Sequence, residues 1–218
     1  METFEKHEQF EIEVLDKLKS NNLLQQLVFG GGTMLRLCYD LDRYSVALDF
    51  WFVKATVIEN YFEKIKTVLQ KDYEITDSQI KFYTILIEIK SSNYPRKLKI
   101  EIRKEIKDCD YQDKIAYSKF SNLQVLLRSH TLKQTMKNKV NALLERDEIR
   151  DAFDLEFLIR KGIDFFEIQT EIKKQLINKI ESYTANDYKV KLGSIITAEK
   201  RNYYIQNQFS FLKEKLSS

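Results

Sequence analysis

The sequence predicts an α+β protein with a small mixed β-sheet and flanking helices, followed by an all-helical bundle. Residues 45–52 and 97–103 alternate apolar and polar side chains, which is typical of half-buried strands. Helically spaced apolar residues precede and separate these strands. From about Leu123 onward, only helical patterns with short polar breaks remain. These observations predict two domains, 1–115 and 116–218.

The front half alternates between the two kinds of pattern. Helices are predicted at residues 4–19 and 57–69, and strands at 45–52, 80–89 and 97–103. Within residues 45–52, Leu48 and Phe50 fall on one face, while Ala47 and Asp49 share the other. Two neighbouring strands around the turn that contains Pro95 predict a hairpin.

The rear half reads as a series of helices. They are predicted at residues 123–127, 132–144, 150–160, 165–183 and 195–216. Gly162 follows Arg160 and Lys161, a combination that favours a helix end there.

Composition favours a protein of the cytoplasm. The 218 residues are 43% hydrophobic and 32% charged, and no apolar run is long enough to cross a bilayer. The first residues are charged and unlike a signal peptide, so we expect no membrane partner. Cys38 and Cys109 make no metal-type spacing with the two histidines, and we expect reduced thiols without a structural zinc.

Positive charge is concentrated in the rear half. Residues 1–118 carry 18 Lys and Arg against 20 Asp and Glu (18 − 20 = −2), whereas residues 119–218 carry 18 against 13 (18 − 13 = +5). The segment 128–139 contains Lys, Arg and His but no acidic residue. This pattern fits either a phosphate-binding surface or an ordinary solvated helix face.

Three consecutive glycines, Gly30, Gly31 and Gly32, stand between an apolar run and a helical one. Backbone without a Cβ lets a ligand approach closely, and Thr33 is expected to cap the helix that follows. N–H groups at such a helix start bind phosphate well. The triplet lacks the Walker and dinucleotide-binding spacings, so a purely structural turn is an equal alternative.

Two carboxylates lie on predicted strands. Asp49 has apolar neighbours and therefore needs a cation, which a metal, Arg36 or a lysine could supply. Glu101 lies on the polar face of its strand and would stand beside Asp49 if the two strands pair. Such a pair would suit Mg²⁺, which is usually held by one or two carboxylates plus substrate phosphates. The alternative for Glu101 is a solvated residue between Lys99 and Arg103.

A third group of charged residues spans two rear helices. Lys139 is followed by Arg146 and Arg150, and then by Asp151 and Asp154, which share a helix face. The two aspartates fit either helix capping or a buried polar network.

The ordered motifs resemble a known family. G-G-T-M-L-R-L followed by D-R-Y-S-V-A-L-D-F resembles the first motifs of AbiEii/AbiGii-type nucleotidyltransferases, the toxin components of type IV toxin–antitoxin and abortive-infection systems. Lys139 and R-D-A-F-D-L resemble the later Lys and D-x-x-D motifs. The resemblance spans roughly residues 25–160 and implies the polymerase-β-like nucleotidyltransferase fold.

The resemblance also implies roles. Gly30, Gly31, Gly32, Thr33, Arg36 and Lys139 would bind a nucleoside triphosphate (NTP), and Asp49 and Glu101 would bind Mg²⁺. Catalysis would use Asp49, Glu101, Lys139 and Asp154. The acceptor would be RNA, including tRNA, or a protein, and an antitoxin protein would be a further partner.

One residue departs from the family pattern. Ala47 stands where the family has the first aspartate of D-x-D, and alanine cannot ligate a metal. Three functions follow as alternatives. They are nucleotide transfer with a weakened metal site, a catalytically degenerate nucleotide- or RNA-binding protein on the same scaffold, and an interaction module whose glycine turn is structural.

Overall fold

A computed structural model describes residues 2–165 and 168–217. The chain divides into two compact units. The first, here called the sheet unit, comprises the residues up to Asp40 and Tyr44–Thr131. The second, the helical unit, comprises Leu41–Arg43 and the residues from Leu132 onward. The division into two domains, 1–115 and 116–218, remains a prediction. In the structure, residues 116–131 pack with the sheet unit.

The sheet unit contains one seven-stranded mixed sheet in the order β3-β4-β5-β2-β1-β7-β6. Its strands are β1 (Leu27–Gly30), β2 (Ala47–Phe52), β3 (Glu74–Ile80), β4 (Thr84–Lys90), β5 (Leu98–Arg103), β6 (Tyr111–Tyr117) and β7 (Gln124–His130). The pairs β2–β5 and β1–β7 are parallel, and the remaining pairs are antiparallel. The mixed sheet and the predicted β4–β5 hairpin are therefore confirmed.

Among the described residues, this unit contains three α-helices, α1 (Glu2–Ser20), α2 (Gly31–Tyr39) and α3 (Ile58–Leu69), and a 3₁₀-helix at Leu24–Gln26. One sheet face carries fully buried apolar side chains from three adjacent strands, among them Leu48 on β2, Ile87 on β4 and Ile100 on β5. Helix α3 packs on this face through Tyr61, whose ring meets Phe52 edge-on. Burying each such side chain stabilises the fold by roughly 1.5–3 kcal/mol.

The opposite face bears the half-buried residues of β2, Ala47, Asp49 and Trp51. The alternation of β2 is therefore as predicted. This alternation leaves the side chains on one face of β2 and β5 partly accessible, and that side of the sheet is here called the open face.

Residues 123–127 were predicted to be helical, and that prediction is wrong. Gln124–His130 form β7, in which Val125, Leu127 and Ser129 are buried and the residues between them are more exposed. Strands β3 and β6 were missed. Both are edge strands with mostly solvent-accessible side chains, so the burial pattern that reveals a strand is absent.

The helical unit contains α4 (Leu132–Arg146), α5 (Ile149–Arg160), α6 (Thr170–Glu181), α7 (Ala198–Asn207) and α8 (Ser210–Ser217). A π-helical segment, Asp187–Leu192, precedes α7 and was not predicted. Of the predicted helix at 165–183, residues 166 and 167 lie outside the described residues. The predicted helix at 195–216 is two helices, because Gln208 and Phe209 adopt left-handed backbone angles that break it.

Gly162 follows the end of α5 with φ +87°, as the predicted helix end requires. None of the helices in the described part of the chain has the length and apolarity needed to span a membrane.

A buried carboxyl group lies between α1 and α2. Glu11 is 1% exposed, and its Oε1 lies 3.4 Å from Thr33 Oγ1. Burial, and then the nearby Glu8, raise the pKa of Glu11 well above its usual range. Burial also lowers the pKa of His7 to about 4. His7 Nε2 lies 3.6 Å from Glu11 Oε1, and because burial lowers the pKa of His7, this contact is not an ion pair at neutral pH.

We predict that Glu11→Gln becomes more stable relative to the native protein as the pH rises from 5 to 8. The folded-state pKa of Glu11 is raised, so its contribution to stability is complete below the unfolded pKa of about 4.5 and is lost as the pH increases. Glutamine imitates the uncharged carboxyl and cannot ionise. Urea unfolding at several pH values measures the difference.

Glu59→Gln is the matched control, because Glu59 is exposed on α3. That variant measures the effect of losing one surface carboxylate, which is subtracted from the effect of Glu11→Gln. A difference between Glu11→Gln and the native protein that does not change with pH would contradict a raised pKa for Glu11.

Candidate active site

Two carboxylates meet at the middle of the open face. Asp49 on β2 and Glu101 on β5 are direct partners in the parallel ladder. Paired residues on neighbouring strands project to the same face, about 4.8 Å apart along the hydrogen-bonding direction. Both residues are partly exposed. The predicted adjacency of Asp49 and Glu101 is confirmed, whereas their role as metal ligands remains a prediction.

The glycine turn lies directly against Asp49. Gly30, the last residue of β1, pairs with Asp49 in the antiparallel ladder, and α2 begins at Gly31. Gly31 has φ +75°, and a Cβ there would fall 3.0 Å from Asp49 Cβ and closer still to its Oδ2. Asp49 therefore lies at the N-terminus of α2, where the helix dipole favours negative charge.

Thr33 and Arg36 are engaged within the sheet unit. Thr33 is fully buried, and its hydroxyl donates to Ala47 O over 2.6 Å. The prediction that Thr33 caps the helix is wrong, because Gly30 holds the cap position and no side chain bonds there. Arg36 Nε donates to Glu8, and its guanidinium lies 4.3 Å from the centre of the Tyr44 ring. Gly32 is buried in the first turn of α2.

Aromatic and basic side chains continue the open face beyond the carboxylates. Trp51 follows Asp49 on the same face, with the His130 ring at 4.8 Å and the Arg103 guanidinium at 5.7 Å from its ring. A Cβ on Gly30 would fall 2.5 Å from Trp51 Cζ3, so this glycine leaves room for the indole. Sequence reasoning did not assign Trp51 or His130 to the site, although the position of Trp51 two residues after Asp49 was a usable signal.

The open face does not fit an arrangement with two metal ions. Ala47 offers no ligand, and Glu101 Oε1 is bound by Lys99 Nζ. Among the residues that the structure describes, no group of three or more His, Cys, Asp or Glu side chains could hold a metal. Buried Glu11 does not replace the missing aspartate, because burial raises its pKa and keeps its carboxyl group inaccessible. Asp49 and Glu101 suit one divalent cation that shares its remaining ligands with phosphates.

The helical unit holds a separate buried charge network. Lys139 Nζ lies 2.8 Å from Asp151 Oδ1 and 2.5 Å from Asp154 Oδ2. Arg43 binds both oxygens of Asp154, through Nε at 2.6 Å and a terminal nitrogen at 2.7 Å. Asp151 also accepts from Arg146. Of the two alternatives for these aspartates, the buried polar network is therefore the observed one.

Asp154 remains ionised despite complete burial. Burial alone would raise its pKa, but Arg43 and Lys139 together hold the pKa below its usual range. A carboxylate bound on both oxygens by cations is a poor proton acceptor. The two ion pairs of Asp154 hold the side chains of Arg43 and Lys139 in place. Arg43 was not among the predicted site residues, although it stands at the start of the D-R-Y-S motif segment.

The sequence matches the model of a known protein family over most of its length. The profile of a family described as "Nucleotidyl transferase AbiEii toxin, Type IV TA system" matches residues 13–211. No curated protein sequence matches the chain significantly.

Solved structures resemble the whole chain. Two come from Helicobacter pylori. The chain is 20% identical to JHP933, with a TM-score of 0.59, covering 96% of this chain and 93% of that one. It is 20% identical to a putative nucleotidyltransferase, with a TM-score of 0.60 and 96% of each chain covered. The nucleotidyltransferase toxin MenT4 (Rv2826c) of Mycobacterium tuberculosis H37Rv is 14% identical, with a TM-score of 0.55, covering 94% of this chain and 85% of that one. At these identities the likeness establishes the fold.

We predict that Gly31→Ala destabilises the protein more than Gly162→Ala does. Both glycines have positive φ, so each substitution costs about 1–2 kcal/mol of backbone strain. Nothing lies within 4 Å of a Cβ at Gly162, whereas one at Gly31 collides with Asp49 and adds roughly 1–3 kcal/mol. Urea unfolding followed by circular dichroism measures both costs.

The extra cost at Gly31 should shrink in an Asp49→Ala background, because the carboxylate that collides is then gone. Equal costs for the two glycine substitutions would show that Asp49 does not lie against the turn.

We predict that Asp154→Ala destabilises the helical unit by about 3–5 kcal/mol, because it leaves Arg43 and Lys139 buried without their shared partner. Asp42→Ala is the control. It removes a half-exposed ion pair with Lys200 and should cost about 0–1 kcal/mol. If both substitutions had the same small effect in thermal and urea unfolding, the buried network would be refuted.

Proposed function

The chain belongs to the AbiEii family of nucleotidyltransferase toxins from type IV toxin–antitoxin systems, and on that premise we propose that it transfers a nucleoside monophosphate from an NTP to an RNA acceptor. The observation that carries the proposal is the placement of Asp49. Its carboxylate lies against the Gly31 turn at the start of α2, beside Glu101. A phosphate-binding helix start with adjacent carboxylates is suited to holding a triphosphate together with a divalent cation.

In the proposed reaction, the acceptor hydroxyl oxygen forms a bond to the α-phosphorus of the NTP. The bond from that phosphorus to the oxygen bridging to the β-phosphorus breaks, pyrophosphate leaves, and the hydroxyl proton passes to solvent. A bound Mg²⁺ would neutralise developing charge on the phosphate oxygens, and Asp49 with Glu101 would hold it.

The remaining residues of the sheet unit support this geometry. The Gly30–Gly32 backbone leaves space for phosphates to approach, and Thr33 fixes the first turn of α2 to β2 through Ala47 O. Arg36 ties α2 to α1 through Glu8. The direct contacts of Thr33 and Arg36 with nucleotide, and the catalytic roles of Lys139 and Asp154, remain predictions.

An exposed aromatic pair supports RNA as the acceptor. Phe82 and Tyr83, at the tip of the β3–β4 hairpin, are 82% and 69% exposed, and their rings contact each other edge-on at 4.5 Å. Lys104 N donates to Tyr83 O, and Arg103 pairs with Thr84 at the start of β4. Exposed aromatics beside basic residues bind single-stranded nucleic acid by stacking and phosphate contact.

Ala47 favours a second candidate function. A chain that has lost one metal ligand could retain nucleotide or RNA binding without efficient transfer. The two candidates share the scaffold and differ in whether phosphodiester bonds are formed. For either function, the family assignment supports an antitoxin protein as a partner.

We predict that the native protein labels total tRNA when incubated with one of the four α-³²P-labelled NTPs and Mg²⁺. Asp49→Asn should lower the rate by about 100-fold or more, because a cation ligand is lost. Asp113→Asn, on the exposed face of edge strand β6, is the control and should keep the native rate.

Transfer that appears only in Ala47→Asp would establish the degenerate binding protein instead. No labelling by the native protein or by Ala47→Asp, with any NTP, would contradict the proposed transfer to tRNA.

We also predict that Phe82→Ala combined with Tyr83→Ala weakens binding to single-stranded RNA roughly tenfold, because one stacked base contributes about 1–3 kcal/mol. The fold should be unchanged, since both rings are exposed. Tyr203→Ala, at an exposed aromatic of α7, should bind RNA as the native protein does.

Fluorescence anisotropy at several salt concentrations measures this binding. Affinity that is independent of salt, or that is unaffected by loss of the two aromatics, would contradict the RNA assignment.

A further inference from the structure

A lysine borders the position that Ala47 leaves without a carboxylate. Ala47 pairs with Lys99 in the same parallel register that places Asp49 beside Glu101. These four side chains project to one face and form a square of two residues from each strand. Only the Ala47 corner carries no charge.

Lys99 forms its ion pair within this group of four residues. Its Nζ forms an ion pair with Glu101 Oε1. Its other in-register neighbour, Glu88 on β4, already accepts from Lys97 Nζ and Thr76 Oγ1, each at 2.6 Å. The side chains of Lys99 and Glu101 are 43% and 32% exposed, so a ligand on the open face can reach both.

The charge of the square differs from that of the family pattern. Asp49, Glu101 and Lys99 carry formal charges of −1, −1 and +1, which sum to −1, whereas two D-x-D aspartates and a third carboxylate would sum to −3. A second divalent cation beside Ala47 would find no ligand there and would be repelled by the neighbouring ammonium group. The residues therefore disfavour a second ion on two independent grounds.

We propose that the Lys99 ammonium replaces one of the two divalent cations, so that the site binds a single cation through Asp49 and Glu101 and the chain itself supplies the other positive charge. Lys99 then offsets part of the negative charge of Glu101 and faces the phosphates of the NTP. The presence of a triphosphate rests on the proposed function, whereas the number of bound cations is independent of catalysis.

The experiment counts cations. Mn²⁺ is titrated, with electron paramagnetic resonance detection, into the protein in the presence of a non-hydrolysable NTP analogue. The native protein should bind one Mn²⁺ per chain, and Ala47→Asp combined with Lys99→Met should bind two. Lys99→Met alone should bind its single Mn²⁺ roughly tenfold more tightly, because a repelling charge is removed.

Two further variants separate charge from structure. Lys99→Arg retains the cation and should bind Mn²⁺ as the native protein does. Lys97→Met removes an exposed lysine two residues away, which is paired with Glu88 instead of Glu101, and should also have no effect.

Two bound Mn²⁺ ions in the native protein, or unchanged Mn²⁺ affinity in Lys99→Met, would overturn the inference even if nucleotide transfer is observed. Failure of every variant to bind Mn²⁺ would overturn it as well. One ion in the native protein and two in the double variant, without any transfer to RNA, would support the inference and contradict the proposed function.

Discussion

The site depends on one steric constraint, the contact between the Asp49 carboxylate and the backbone of Gly31. Pairing of β1 with β2 brings Gly30 opposite Asp49, and the next residue must turn through positive φ to start α2. Any side chain at residue 31 would occupy the space of the carboxylate. The turn, the helix start and the acidic residue are therefore parts of a single arrangement, and a change in one displaces the others.

The chemistry available beside this contact is set by charge. The carboxylate expected at residue 47 is missing, and the strand next to it supplies an ammonium group that is bound to Glu101. The open face consequently carries less negative charge than the family motif implies. In the helical unit the opposite situation holds, because Asp151 and Asp154 are surrounded by Arg43, Lys139 and Arg146 and are completely buried. That network stabilises its own unit whether or not it also takes part in catalysis.

Local pattern was enough to predict strands β2 and β5, because their side chains alternate between core and solvent. The three consecutive glycines marked the turn before α2. The adjacency of Asp49 and Glu101 depends on the parallel pairing of β2 with β5, a long-range choice that no short segment encodes. Edge strands β3 and β6 were missed because exposed strands lack a buried stripe. Thr33 was misassigned as a cap because its role depends on Ala47 O, which the strand brings near. The importance of Lys99 was equally invisible, since it follows from its register with Ala47.

The most direct test is crystallographic. Crystals of the native protein would be soaked with MnCl₂ and a non-hydrolysable analogue of each NTP in turn, and anomalous scattering would locate the metal. We expect one Mn²⁺ coordinated by Asp49, with the triphosphate against the Gly31 turn and no metal beside Ala47. A nucleotide bound elsewhere, with Asp49 making no contact to metal or phosphate, would contradict it.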